Sequence, residues 1–299
     1  MNIRDYEYAL AVSRLRSFSR AAEACGVAQP TLSGQVRKFE RSLGIDIFER
    51  DGRTIRVTPA GEAILEQARI ALTAAERISE IASSGADPLV GPLRVGFIPT
   101  IAPYMLPGLL PAVRIALARA PLAATEEVTP RIVRDLHDGR LDAAVVATDH
   151  SKDELAEITL FDEPFFIAMP TLHPLAEQEH IALSDIDRST LILLADGHCL
   201  RDQALSLCGD ARTGRSIIAD VSATSLETLL QLVRAGMGTT IVPKMALQHV
   251  STQGIVIRPL RDAQASRRIR LVYRPFMPRR AALQALASAI ISSTTHFTT

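Results

Sequence analysis

Apolar positions recur at three- and four-residue spacing over the first eighty residues; beyond about residue 90 short apolar runs alternate with helical stretches. Arg4 to Leu15 sets Tyr6, Ala9 and Leu10 on one helical face. Ser17-Phe18-Ser19 breaks that helix and offers caps for a second, Arg20 to Cys25, which Gly26 ends in the left-handed C′ position. Val27-Ala28-Gln29 turns the chain, and Pro30 suits the first turn of a third helix that runs to about Leu43 and stops at Gly44. Two short helices joined by a glycine-containing turn predict a helix-turn-helix. Val36, Phe39 and Leu43 form the core stripe of the third helix. Gln29, Pro30, Thr31, Ser33, Gln35 and Arg37 lie near its start, and polar side chains of these types reach base edges and phosphates. Arg50 to Thr58 reads as a hairpin wing, with Arg50 and Arg53 placed for phosphates or the minor groove. The competing reading is a small helical domain with a solvated polar face.

Ala60 to about Ser83 has no interior Pro and no Gly after Gly61. Ile64, Leu65, Ala68, Leu72, Ala75, Ile78 and Ile81 make a coiled-coil-like seam along it. At 1.5 Å per residue that helix is about 35 Å long, so it is expected to pack on a partner chain. Residues 83–88 read as a hinge. Strands are predicted at Leu93 to Ile98, Leu141 to Val146, Phe165 to Met169, Leu191 to Leu194, Ile217 to Val221, Thr239 to Val242 and Ile269 to Tyr273. Helices are predicted near Met105 to Leu117, Ser225 to Ala235 and Arg280 to Ile291. The alternation predicts an α/β body with a largely parallel sheet in two subdomains, with crossovers near residues 162–164 and 264–266. Thr100 and His198-Cys199 each follow a predicted strand end, where such sheets bind ligands.

Composition narrows the class. Apolar residues make up 47% and charged residues 22% of the 299, as in ordinary globular proteins. Three cysteines exclude a disulfide-stapled scaffold. The start, Met1-Asn2-Ile3-Arg4-Asp5, lacks the apolar core of a signal peptide, and no run approaches the ~18 residues of a membrane span, so a cytoplasmic protein without membrane contact is expected. The net charge of zero divides unevenly: residues 1–58 hold 10 Lys and Arg against 7 Asp and Glu. A modest basic excess on a helix-turn-helix is compatible with DNA.

The densest chemistry lies in Gly197-His198-Cys199-Leu200-Arg201-Asp202, followed by Cys208 nine positions after Cys199. Cations stabilise the thiolate, so His198 and Arg201 beside Cys199 point to a reactive thiol. A helix over Arg201 to Cys208 would set Cys199 at its N-cap, with Asp202 as the reciprocal partner of a capping box. An intact helix separates the two cysteines by about 13.5 Å along its axis, against the ~7 Å between Cα atoms that a disulfide tolerates. A bond between them would need the segment to melt. Two buried, inert cysteines are the alternative. A zinc site is not expected, because the segment lacks a four-ligand array.

Five blocks now converge. Ser19-Arg20-Ala21-Ala22, Gln29-Pro30-Thr31-Leu32-Ser33, Leu43-Gly44, Phe48-Glu49-Arg50 and Val57-Thr58-Pro59-Ala60-Gly61 resemble the N-terminal signature of LysR-type transcriptional regulators. The resemblance implies a winged helix-turn-helix over 1–58, a dimerising linker helix and hinge over 59–88, and a periplasmic-binding-protein-like effector domain over 89–299. Its subdomains would span about 89–162 with 267–299, and 163–266. The body resembles the peroxide-sensing members of that family, through Gly96-Phe97-Ile98-Pro99-Thr100, Leu160-Phe161-Asp162-Glu163-Pro164, Asp196 to Cys208, Ala223 to Thr228 and Leu271-Val272-Tyr273-Arg274-Pro275. This implies a transcriptional regulator, not an enzyme, with Cys199 peroxidatic and Cys208 resolving. It also implies a peroxide pocket drawing on Thr100, Thr129, His198 and Arg267 or Arg268; strand alternation lets only one of the two arginines face inward, and Arg267 is the one favoured. Promoter DNA, hydrogen peroxide, a second copy or a tetramer, RNA polymerase and a dithiol reductant are the implied partners; no cofactor is implied. The competing functions are a metabolite-responsive regulator of the same family, a thiol peroxidase and a secreted solute-binding protein.

Overall fold

The computed structural model describes residues 1–51, 54–83, 90–208 and 223–294. The predicted hinge over 83–88 falls largely outside them, as do Arg53 and the expected strand Ile217 to Val221. The chain forms two units, one holding residues 1–87 and the other nearly all of 88–299.

In the first unit α1 (Ile3–Leu15), α2 (Phe18–Ala24) and α3 (Gln29–Leu43) are delimited by local chemistry. Asn2 and Asp5 close a capping box on α1, and the Ser17 hydroxyl accepts from the Arg20 N–H at the start of α2. Gly44 takes the left-handed conformation at φ 68° and ends α3. The strands β1 (Phe48–Asp51) and β2 (Thr54–Val57) form the wing, and α4 (Pro59–Ser83) follows over 25 residues. Tyr8, Val12, Leu32, Val36, Phe39, Ile47 and Leu65 bury the common core. Glu40 is buried at the end of α3, where its Oε1 accepts from the N–H groups of Ile47 and Phe48 at 2.9 and 3.0 Å. This carboxylate fastens the wing to α3.

The second unit is built on β3 (Leu93–Phe97), β4 (Leu122–Glu126), β5 (Ala143–Val146), β6 (Ala156–Pro170), β7 (Thr240–Pro243), β8 (Ile255–Pro259) and β9 (Ser266–Tyr273). The strand order is β4-β3-β5-β9-β6-β7, with β8 also pairing β6. The expectation of a largely parallel sheet is corrected: β3 pairs β4 and β5 in parallel, while every pairing of β6 and β9 is antiparallel. Alternating strands and helices do not encode direction where long strands carry the chain out of one core and back. β6 pairs β9 up to Pro164 and then β7 and β8 from Phe165 onward. Leu191 to Leu194 is not a full strand; Leu191 and Leu194 make single bridges to Thr239 and Ala223.

The helices are α5 (Ala102–Ala116), α6 (Thr129–His137), α7 (Cys199–Cys208), α8 (Leu226–Arg234) and α9 (Arg280–Ser293). One core gathers β3, β5, α5, α6 and α9 around Phe97, Met105, Ile132 and Leu286. The other gathers β7, α8 and the far half of β6 around Phe165, Ile167, Leu230 and Val242. No described helix is long and apolar enough to cross a membrane.

Glu40→Ala removes the acceptor of two buried N–H groups, at about 1–3 kcal/mol each. Urea unfolding of the full chain followed by circular dichroism is expected to register the loss. Unchanged stability would mean that Glu40 does not hold the wing.

Candidate functional site

Three segments wall the site, the turn after β3, the start of α6 and the loop entering α7, and β9 reaches it through Thr100. Gly197, at φ 92°, turns the chain so that His198 precedes the first helical residue, Cys199. The expected N-cap shifts by one position: Cys199 opens the helix and His198 stands before it. Arg201 points away from the thiol. Its Nη1 donates to the Leu194 carbonyl at 3.0 Å and its Nε pairs with Asp196 at 2.9 Å, which fastens the loop. Gln203 donates to the Ala147 carbonyl at 2.7 Å and ties the middle of α7 to the end of β5.

Cys199 and Cys208 are both buried free thiols at opposite ends of α7. All ten residues between and including them are helical, so the sulfurs stand apart as the helix rise requires. Cys199 packs in the first core and Cys208, fully buried, in the second.

A tight cavity beside Cys199, without room for a water-sized sphere, has Thr100, Val128, Thr129, Gly197 and His198 among its walls. Two buried polar atoms of these residues, Thr129 Oγ1 and His198 Nδ1, have no hydrogen-bond partner. The Thr129 hydroxyl lies near the sulfur and favours its ionisation, without forming a well-directed hydrogen bond to it. Two orphaned polar groups beside a thiol are placed to bond a small molecule with several donors and acceptors once the walls give way to it.

Alternation along β9 decides between the two arginines. Arg267 is buried and Arg268 exposed. Arg268 is therefore corrected out of the cavity: it pairs with Asp162 on the outer face at 2.8 Å. Arg267 Nη1 donates to Thr100 Oγ1 at 2.8 Å, and its Nη2 to the Thr100 carbonyl at 3.1 Å. Its Nε donates to Glu163 Oε2 at 2.8 Å, and Glu163 Oε1 accepts from the Met245 N–H at 2.6 Å. The guanidinium also lies over the Phe165 ring, 5.9 Å from its centroid. Glu163 has no role legible in the sequence beyond its place in the Leu160 to Pro164 block. It lies 104 positions from Arg267 and directly opposite it in the strand pairing, a register no local pattern reveals.

The electrostatics depart from expectation. Burial pushes the Cys199 thiol above its usual value, and Asp202 adds to the rise, while Arg267, the Thr129 hydroxyl and the Leu200 N–H pull it down. Burial also lowers the His198 imidazole below its usual range, so it is neutral near pH 7 rather than a cation. Cys208 is likewise raised by burial, with Arg188 opposing. Among the described residues no group of three His, Cys, Asp or Glu is placed to hold a metal ion.

In the first unit Gln29, Pro30, Thr31 and Arg37 are exposed and Ser33 half-buried on α3. Gln35 departs from the set: its amide donates to the buried Asp5 carboxylate at 2.8 Å, so it braces α3 against α1. Arg50 lies on β1, opposite Ile55.

Comparison with known proteins agrees across the chain. Residues 3–62 match the bacterial regulatory helix-turn-helix protein, lysR family, and residues 86–294 match the LysR substrate binding domain. The chain is 40% identical over 291 residues to the hydrogen peroxide-inducible genes activator of Dickeya chrysanthemi, covering 97% of this chain and 95% of that one. It is also 40% identical to the DNA-binding transcriptional dual regulator OxyR of Escherichia coli K12, with the same coverage. Among solved structures, a full-length OxyR variant from Pseudomonas aeruginosa superposes with a TM-score of 0.72 at 35% identity, covering 97% of this chain and 98% of that one. A hydrogen-peroxide-bound OxyR mutant from Corynebacterium glutamicum gives 0.64 at 34% identity, covering 99% and 93%.

Because burial holds the Cys199 thiol above its usual value, its alkylation by iodoacetamide is expected to climb about tenfold per pH unit from pH 6 to pH 8, without a plateau. Thiol ionisation also sets a stability slope: the unfolded chain loses its proton first, so stability falls as pH rises past the unfolded thiol value. A plateau in alkylation near neutrality would place the ionisation on the other side of the usual value.

Proposed function

The chain belongs to the LysR family of bacterial helix-turn-helix regulators, and we propose that within it this protein is a peroxide-sensing transcriptional regulator switched by a reversible Cys199–Cys208 disulfide. The observation that carries this reading is the placement of two buried free thiols at opposite ends of one helix, with Cys199 beside a cavity that holds two unpaired polar groups.

In this reading Thr100, Thr129 and His198 hold hydrogen peroxide by hydrogen bonds to its two oxygens, and Arg267, through Thr100, reinforces that array. The Cys199 sulfur gives up its proton and attacks one oxygen. The S–O bond forms as the O–O bond breaks, sulfur is oxidised to a sulfenic acid, and the departing oxygen leaves as water once protonated. The Cys208 sulfur then attacks the sulfenic sulfur, and a second water leaves as the disulfide forms. The bond forms only after α7 unwinds. Closing a ring of about ten residues biases the new form by roughly 2.7 kcal/mol in the chain-entropy account, near a hundredfold in population. A cellular dithiol returns both thiols.

The output would run through residues 1–58 as the DNA-binding module. Gln29, Pro30, Thr31, Ser33 and Arg37 on α3 contact promoter DNA in this reading, together with Arg50 on β1 and with Arg53, which lies outside the described residues. α4 within 59–88 is the dimerising element; an open apolar groove lined by Tyr6, Phe39, Leu43, Ile64 and Ala68, together with the exposed Ile78, supports a second copy packing there. Residues 89–299 form the sensing domain, with subdomains about 89–162 with 267–299 and 163–266, and pairs of dimers would give a tetramer. Contact with RNA polymerase and a cytoplasmic setting complete the proposal. The protein consumes peroxide to change state, not to turn it over.

Brief micromolar peroxide followed by mass spectrometry of the 199–208 peptide is expected to reveal an intramolecular crosslink, with an altered footprint on promoter DNA. Cys199→Ser is expected to abolish both, and Cys208→Ser to leave no lasting crosslink. Both thiols still free after treatment, or a full footprint change in Cys199→Ser, would overturn the proposal.

A further inference from the structure

The peroxide reading uses Arg267 but leaves unexplained the carboxylate behind it. Glu163 is fully buried, and both its oxygens are engaged. They join three elements: β6, which carries Glu163; β9, which carries Arg267; and the turn after β7, which carries Met245. With Nε committed to Glu163, the two terminal nitrogens of Arg267 are left to face Thr100. The Thr100 oxygen accepts from Arg267, so its own proton is free to be donated elsewhere. Thr100 also lines the cavity beside Cys199.

We infer that Glu163 is a positioning residue that aims Arg267 at Thr100 and cancels most of its charge, so that Cys199 favours a small hydroperoxide over thiol reagents in general. This rests on the peroxide reading above. An uncompensated buried guanidinium would draw the thiolate out at neutral pH, and any electrophile small enough to enter would then react. With the carboxylate in place the cation is neutralised where it stands, and its influence reaches the cavity as a directed hydrogen-bond donor. An oxidant that can accept from Thr100 benefits from that donor as its O–O bond breaks. An alkylating agent whose leaving group is a halide gains little from it.

The test uses full-length protein carrying Cys208→Ser, so that oxidised Cys199 is trapped with dimedone and counted by mass spectrometry. Peroxide oxidation and iodoacetamide alkylation of Cys199 are timed between pH 6 and pH 9 in this background, then with Glu163→Gln and Glu163→Asp. Glu163→Gln removes the charge at nearly constant volume. It is expected to speed alkylation at pH 7 about tenfold, one pKa unit of thiolate, and to slow peroxide oxidation about tenfold, so the ratio of the two falls about a hundredfold. Glu163→Asp keeps the charge but retracts it, and is expected to slow peroxide oxidation while leaving the alkylation profile in place. If both rates move together by one factor in both variants, Glu163 only supports the fold and the inference fails. Should Glu163→Gln not fold, by circular dichroism, the Glu163→Asp arm alone decides. A parent protein whose Cys199 reacts with peroxide no faster than Cys25 would instead sink the peroxide reading itself, which separates the two failures.

Discussion

A helix advances about 1.5 Å for each residue, and that rise governs everything α7 can do. Its ten residues begin with one cysteine and end with the other, so the fold that buries both sulfurs also forbids their bond. The two ends are rooted in different cores, Cys199 with Met105 and Ile269, Cys208 with Leu230 and Val242. Keeping the helix keeps both cores filled. Joining the sulfurs requires at least one of them to leave its core, with the cost that emptying a packed site carries. The reduced arrangement is therefore held by packing at both ends, by Gln203 on Ala147 in the middle, and by Arg201 on the entering loop. The energy to undo it has to come from the chemistry of the sulfur.

Burial sets the tone of the site in a second way. It raises the thiol and lowers the neighbouring imidazole, so both are neutral at rest. The charged groups nearby are spoken for: Arg267 by Glu163 and Arg201 by Asp196. What the cavity presents is a set of oriented donors and acceptors around a protonated sulfur. Such a surface distinguishes ligands by hydrogen-bond pattern rather than by charge, which fits a small neutral molecule better than an anionic metabolite.

How far the sequence could be read followed from whether the signal was local. Ser17, Pro30 and Gly44 mark helix ends by chemistry confined to a few residues, and the three helices of the first unit lie where those residues put them. The reactive segment was visible for the same reason. Partners far apart in the chain were not. Gln35 has the profile of a base-reading side chain until Asp5, thirty positions earlier, claims its amide. The strand β4, Leu-Ala-Ala-Thr-Glu, lies at one end of the strand order without an alternating pattern and left no trace. Alternation limited the inward arginine to one of two; Arg267 was favoured, and it is the buried one. The charge neighbours of Cys199 were also misjudged, since His198 is adjacent but neutral and Arg201 adjacent but turned away, while the acting cation comes from 68 positions further on.

The continuity of β6 has a mechanical consequence. One strand of fifteen residues serves both cores, trading β9 for β7 and β8 midway without a loop. Halves joined by a loose tether would swivel freely and lose any signal between them. Halves sharing a pleated ribbon resist swivelling and respond by torsion, because every ladder bond on one side constrains the twist on the other. Unwinding α7, whose two ends sit one in each half, would load that ribbon as a key loads a torsion bar.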